Sequence, residues 1–383
     1  MHPSSYIEIN RSALKNNIDF IKKRIGPDVQ FSSVIKGNAY GHGIEEFGPI
    51  AQGSGVNHFS VFSADEAFRL FEALPAPATI MVMGYIDNSE LEWVIKNEIE
   101  FFVFELDRLE SAISIAKRIK KPAKIHLELE TGMYRSGFDG ATLSQAVSML
   151  QAQQENVQLQ GVCTHYAGAE NLHNHERVMA QYTSFNQQVK ELENKHLKPK
   201  LKHTACSAAT MAYPKTQMDM VRIGIMQYGF WPSPETYGQY IAQNENMQDP
   251  LHRLITWKSH IMSLKHVPEG AYVGYGTSYQ ASQDMIMAVI PVGYAWGYSR
   301  SLSNQGQVLI RGHYAGVVGI VNMNVMMVDV TNIAGVRKDD EVVLLGTQGD
   351  KSITVASFGE RSTQLNYELL TRLPVNIPRN IVD

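Results

Sequence analysis

Through about its first 230 residues this chain repeats one pattern eight times: a short, nearly all-apolar run, then a stretch of helical period. The runs are QFSSVIK, NHFSVF, TIMVMG, IEFFVF, AKIHLELE, VQLQGVCTHY, LKHTAC and MVRIGIMQYG, near residues 30, 57, 79, 99, 123, 157, 201 and 220. Runs this short and this apolar suit strands buried on both faces, as in parallel sheets. Between them, SADEAFRLFEAL (63–74) carries Ser63 as the expected N-cap with Glu66 three residues on. NSELEWVIKNE (88–98) and LDRLESAISIAKRI (106–119) place apolar residues at helical spacing. Eight strands alternating with helices point to a (β/α)8 TIM-type barrel, an α/β fold, more than to an open sheet.

The pattern breaks near residue 240. YIAQNENMQDPLHR is polar, contains a proline and reads as a linker. Beyond it, LITWKSHIMSLKHV, DMIMAVIPVGYA, GQVLIRG, AGVVGIVNMNVMMVDVT and DEVVLLG are short, rich in β-branched residues and punctuated by Gly, Asn and Asp. They predict a C-terminal mainly-β domain, with one short helix over 353–372. The expected organisation is an N-terminal segment 1–9 forming a strand on the β-domain, a barrel over 10–240 and the β-domain over 241–383. A chain of 383 residues is long for one core and suits two.

Charge excludes one broad class of partner. Lys and Arg number 34 against 38 Asp and Glu, a net charge of −4, so no affinity for nucleic acid is expected. The basic stretch Lys117–Lys124 is interleaved with apolar residues and reads as a solvated helix face. Cys163 and Cys206 form neither a metal-site spacing nor a disulfide framework, and buried thiols are expected; no metal is expected. The N-terminus, MHPSSYIEINRSALKNN, has no apolar core of a signal peptide, and no uncharged stretch could span a bilayer. A cytoplasmic protein without membrane attachment is the expectation.

A barrel keeps its chemistry at the C-terminal ends of its strands, and several reactive side chains fall there. Lys36 and Tyr40 follow the first run, in FSSVIKGNAYGHG (31–43). A lysine at that point is either a solvated strand terminus or an amine held rigidly enough for Schiff-base chemistry, which needs its neutral form within reach. Arg135 follows the fifth run, as a helix-entry charge or an anion-binding group. His165 ends the sixth, as a core histidine or a site residue. Ser207 follows the seventh and reads as a helix N-cap, a position compatible with phosphate binding. Arg222 lies within the eighth.

Nearly the whole chain resembles the alanine racemase family. The matching blocks are VIKGNAYGHG, LETGMYRSGF, THYAGAE, MVRIGIMQYGFWPS, VGYGTSYQ, PVGYAWGY, NMNVMMVD and NYELLTRLPVNIPR, in the family's order. The resemblance implies a pyridoxal 5′-phosphate-dependent amino-acid racemase, an isomerase, working as a homodimer with active sites shared between subunits. Lys36 would carry the cofactor and act as one proton base, with Tyr275 of the partner subunit as the base on the opposite face. His165 would bond Tyr275, and Arg222 would bond both His165 and the pyridine nitrogen. Tyr40, Ser207, Tyr367 and the backbone at Gly224 and Ile225 would hold the phosphate. Arg135 and the backbone of Met323 would meet the carboxylate of the amino-acid substrate.

Three departures from the family pattern involve four positions. Glu128 stands seven residues before Arg135, where a carbamylated lysine is common; a carboxylate already supplies the negative charge, so no carbamylation is expected. Asn324 replaces an aspartate after Met323, with Ile320 where an arginine is usual, and Trp296 replaces an aspartate after Gly293-Tyr294-Ala295. The last two changes remove charge near the expected substrate corridor, so alanine or a broader set of amino acids is expected as substrate. A related barrel decarboxylase and a non-catalytic pyridoxal-phosphate-binding or regulatory protein are the alternatives. The first would set an acidic group at the pyridine nitrogen instead of Arg222, and the second needs no second base such as Tyr275.

Overall fold

The computed structural model describes residues 3–244, 248–362 and 366–383. It divides into two compact units: Ser12–Gly37 with Gly48–Arg253, and Met1–Arg11 with Asn38–Phe47 and Leu254–Asp383.

The chain enters through β1 (Ser5–Asn10), which belongs to the second unit. The first unit is built on β2 (Gln30–Val34), β3 (His58–Val61), β4 (Thr79–Val82), β5 (Glu100–Val103), β6 (Ala123–Glu128), β7 (Val157–Cys163), β8 (Leu201–His203) and β9 (Met220–Ile223). All eight apolar runs form strands. They pair in parallel in the order β8-β7-β6-β5-β4-β3-β2-β9. The two ends of this path are joined as well. The Arg222 N–H donates to the Ala205 carbonyl at 2.9 Å and the Asp219 N–H to the Lys202 carbonyl at 3.0 Å, bringing the sheet to a near-closed barrel. Burial on both faces explains the continuous apolar runs. Where β6 meets β7 the register slips, so that Ile125 faces Leu159 while His126 faces Gly161. Glycine fits this slip, because a Cβ there would overlap His126 Nδ1 and lie 2.8 Å from Cε1 of the same ring.

Helices cover the strands as their periodicity predicts. In Leu106–Ile119 the buried positions are Leu109, Ala112, Ile113 and Ala116, the i, i+3, i+4, i+7 stripe of one helix face. The helix Ala64–Ala73 starts after Ser63, but not through the expected capping pair. Ser63 Oγ donates to Asp65 Oδ1 at 2.5 Å, and Glu66 accepts from the Phe62 N–H at 2.8 Å, one residue earlier than a capping box requires.

In the second unit β1 pairs antiparallel with β10 (Ile255–His260) and parallel with the last strand, Arg379–Val382. Between them come β11 (Ser263–Val267), β12 (Met285–Ile290), β13 (Gln307–Ile310), β14 (His313–Gly316), β15 (Met326–Asp329), β16 (Glu341–Gln348) and β17 (Lys351–Ile353), so that the last strand is β18. Seven strands form one sheet, β14-β13-β16-β10-β1-β18 with β17 on β16, and β11-β12-β15 form another. Two helices, Val355–Ser362 and Asn366–Thr371, stand where one was expected; residues 363–365 of that expected helix lie outside the described residues.

Candidate active site

β2 delivers Lys36, and its end is tightly anchored. The Val34 carbonyl accepts from Gln227 Nε2 at 2.9 Å and from the Tyr228 hydroxyl at 3.0 Å. The Ile35 N–H donates to the Ser60 carbonyl at 2.8 Å. Lys36 itself is exposed on one side, with protein around the rest. Its ammonium is pushed down from the ordinary lysine range, first by loss of surrounding water, then by the positive charge of Arg135; Glu66 opposes the shift and Arg222 adds to it. The open side admits water, which screens these charges.

The turn after Lys36 is left-handed for five residues: Gly37, Asn38, Ala39, Tyr40 and Gly41 have φ of 62°, 54°, 53°, 52° and 81°. Each non-glycine residue in this conformation costs about 1–2 kcal/mol. Hydrogen bonds on both sides hold the turn in this conformation. The N–H groups of Gly43 and His42 donate to the carbonyls of Asn38 and Ala39 at 2.9 and 3.0 Å. Within the same unit Arg379 Nε donates to the Gly41 carbonyl at 3.0 Å. Gly41 is also required by space, since a Cβ would overlap the Leu370 carbonyl oxygen. Strain held in place this way marks functional sites. The Tyr40 ring lies 6.1 Å from that of Tyr367, which places two of the expected phosphate ligands side by side in the second unit.

Arg222 is buried and its hydrogen bonds are nearly all spent. Nη1 donates to the His203 carbonyl at 2.8 Å and to His203 Nδ1; Nη2 donates to the carbonyls of Thr164 at 2.7 Å and Thr204 at 3.3 Å. A guanidinium has five N–H donors, so among the described residues only Nε–H is left over. The imidazole that Arg222 engages is His203, not His165. His203 ends β8, next to β9 across the barrel closure, whereas His165 lies two residues past β7. His165 shares the neighbourhood electrostatically: burial and then Arg222, Arg135 and Lys36 lower its imidazole to about 3, so it is neutral.

Ser207 is the first residue of the helix Ser207–Ala212, and Cys206 holds the N-cap position in its place. The serine hydroxyl is committed elsewhere, accepting from the Gly224 N–H at 3.0 Å. Ile225 opens a 3-10 turn, so its amide has no partner inside that turn. A hydroxyl and two adjacent amides are thus grouped at the ends of β8 and β9.

Arg135 is exposed and Glu128 buried, and no ion pair within 4 Å joins them among the described residues. Glu128 is instead pushed up by burial, with the Ser136 hydroxyl and the charges of Arg222 and Arg135 opposing. In the second unit Tyr275 is 71% exposed, between Gly274 and Gly276 at φ 75° and 69°. The Met323 carbonyl accepts from the Ala295 N–H at 3.0 Å, which seats the 293–297 turn carrying Trp296 against the 322–323 segment.

Glu100, His126, His203 and His58 escaped the sequence reading. The available signal was an ionisable residue inside a strand-forming run, alone in IEFFVF and NHFSVF but accompanied by other charged residues in AKIHLELE and LKHTAC.

Comparison with known proteins matches these two regions separately. The alanine racemase N-terminal domain family matches residues 9–232 and the alanine racemase C-terminal domain family residues 254–381. The chain is 35% identical over 384 residues to an alanine racemase of Leptospira interrogans, covering 99% of this chain and 96% of the relative. It is 35% identical over 379 residues to one from Methanococcus maripaludis, covering 99% and 98%. Among solved structures, alanine racemase from Bacillus anthracis with bound L-Ala-P superposes with a TM-score of 0.91 at 29% identity, covering 100% of this chain and 96% of the other. That of the D-cycloserine producer Streptomyces lavendulae gives 0.90 at 29% identity, covering 100% and 98%.

Proposed function

As the chain belongs to the alanine racemase family, we propose that it interconverts L- and D-alanine with pyridoxal 5′-phosphate attached at Lys36. One observation carries the reading: a strand-end lysine with a weakened hold on its proton shares its neighbourhood with an arginine that retains a single donor. The residues present fit the cofactor. Lys36 offers an accessible amine, the Ser207 hydroxyl proton and the Ile225 amide offer donors for a phosphate while the Gly224 amide braces the serine oxygen, and Arg222 Nε–H offers one for a ring nitrogen. Tyr40 and Tyr367 join the phosphate set on the family resemblance.

The cofactor, when bound, supplies an electron sink that makes the substrate Cα–H acidic. The rest is the work of the chain. Lys36, neutral, takes or returns the Cα proton on one face. Tyr275 of the partner subunit does the same on the other, in a homodimer. Arg222 keeps its proton at any physiological pH, so it can hydrogen-bond the ring nitrogen without protonating it. That keeps the sink weak and favours return of the proton to Cα over transamination. Arg135 and the Met323 backbone orient the substrate carboxylate, and Glu128 balances the charge of Arg135 at a distance. Arg222 also disfavours the decarboxylase alternative, which would set an acid there.

The test is chemical. Borohydride treatment of the cofactor-loaded protein should fix one equivalent on Lys36, found by peptide mapping, and a coupled D-amino-acid assay should detect D-alanine formed from L-alanine. An adduct on another lysine, or no D-alanine from a correctly loaded protein, would refute the proposal.

A further inference from the structure

Beneath Arg222 a set of polar groups runs through the barrel interior beside Phe102. His203 and His126 are fully buried, and Glu100, the first residue of β5, retains 12% of its side-chain exposure. These groups form a line. Arg222 Nη1 bonds His203 Nδ1, His203 Nε2 lies 2.8 Å from His126 Nδ1, and His126 Nε2 lies 2.8 Å from Glu100 Oε2.

The two ends dictate the direction. A guanidinium only donates and an ionised carboxylate only accepts. Arg222 therefore requires a bare Nδ1 on His203, which puts the His203 proton on Nε2. His126 must then be bare at Nδ1 and protonated at Nε2, and Glu100 needs that proton as its donor. Two neutral imidazoles satisfy every bond. A flipped tautomer sets N–H against N–H, or lone pair against lone pair, in a buried place where an unmade bond is costly. The charge states agree with this. Burial pushes both imidazoles below the ordinary histidine range. Burial also pushes Glu100 up, but His126 and His58 outweigh it and hold the carboxyl at about 2. His58 Nε2 stands 3.6 Å from the same oxygen, beyond hydrogen-bond reach, while its Nδ1 faces Ser32 Oγ at 2.9 Å. Both ring nitrogens of His126 and of His203 are used within the line, so neither has a lone pair left for a metal ion.

We propose that Glu100 is a positioning residue for Arg222: through His126 and His203 it fixes the imidazole tautomers and thereby holds the guanidinium with only Nε–H left to donate. Its consequence for racemisation rests on the reading of Arg222 as the ring-nitrogen partner; the direction of the line does not.

The experiment combines nitrogen NMR of the histidine-labelled, cofactor-loaded protein with kinetics. In the unmodified protein His126 and His203 should each be neutral and protonated at Nε2 alone. Glu100→Gln removes the charge and offers His126 a donor as well as an acceptor. It should introduce the other tautomer at both histidines and lower kcat roughly 10- to 100-fold, with KM within about threefold, as displaced positioning groups do. Glu100→Asp, still an acceptor, should keep the tautomers and recover part of kcat. An Nδ1–H on either histidine of the unmodified protein overturns the proposal. So does a folded Glu100→Gln variant with unchanged tautomers and unchanged kcat. If Glu100→Gln fails to fold, the unmodified protein and Glu100→Asp decide. Expected tautomers in a protein that makes no D-alanine would leave the line standing and remove the functional reading instead.

Discussion

Gly161→Ala is the sharpest single perturbation of the barrel interior. The added methyl would overlap His126 Nδ1, 2.8 Å from Cε1 of that ring and 3.1 Å from His203 Nε2. Those two nitrogens share a buried hydrogen bond at 2.8 Å. Neither ring can retreat freely, because His126 is also tied to Glu100 and His203 to Arg222. Overpacking costs roughly 1–3 kcal/mol, and leaving the pair unmade adds about 1–3 kcal/mol, so a loss of about 2–6 kcal/mol is expected. The site lies where β6, β7 and β8 pair, so the effect should be read there, by amide exchange and mass spectrometry of those strands. Even the low end, 2 kcal/mol, would speed exchange through opening of these strands roughly 30-fold. Gly140→Ala is the control: its Cβ meets nothing within 4 Å, at the first residue of a helix. Exchange in β6–β8 within about threefold of the unmodified protein would show less than about 0.7 kcal/mol, and the packing argument would be wrong.

Three further outcomes are expected. His42, His126 and His203 are buried with imidazoles pushed below the unfolded value of 6.5, His42 to about 4; their stabilising contribution is whole above pH 6.5 and is lost as pH falls below it, each by up to about 1.4 kcal/mol per pH unit, so melting temperatures should drop between pH 7 and pH 5, and a flat profile would contradict the burial of neutral imidazoles. Lys36→Ala and Tyr275→Phe homodimers should each be nearly inactive, whereas refolding them together should restore up to about half the activity per heterodimer if sites are independent; no recovery from verified heterodimers would mean that Tyr275 does not serve the neighbouring subunit. Ile320, Asn324 and Trp296 leave the expected corridor uncharged, so at least one substrate larger than alanine, among lysine, arginine, methionine and serine, should turn over, the loss of a charge requirement shifting selectivity by roughly 1–3 kcal/mol; activity confined to alanine in a screen of common L-amino acids would refute this.

Much of this protein was legible in one dimension. Eight apolar runs became eight parallel strands, because a strand covered on both faces has to be short and apolar regardless of its neighbours. Helical spacing located Leu106–Ile119 for the same local reason. The ordered motifs named Lys36 and Arg222, whose positions at the end of β2 and within β9 follow from chain order alone. Hydrogen-bond partners were not legible. Ser207 looked like a cap because serine usually is one, but Gly224, 17 residues on, claims its hydroxyl. Ala39 and Tyr40 are left-handed against their own preference, and the turn they form is tied down at Gly41 by Arg379, 338 residues on. Glu100, His126 and His203 each look like a misplaced polar residue in an apolar strand. They lie 26 and 77 residues apart along the chain, and only strand register, with the slip at Gly161, puts donor opposite acceptor. Burial and periodicity are properties of a segment and can be read from it, whereas a buried polar group acquires its meaning from the partner that the closed barrel brings to it.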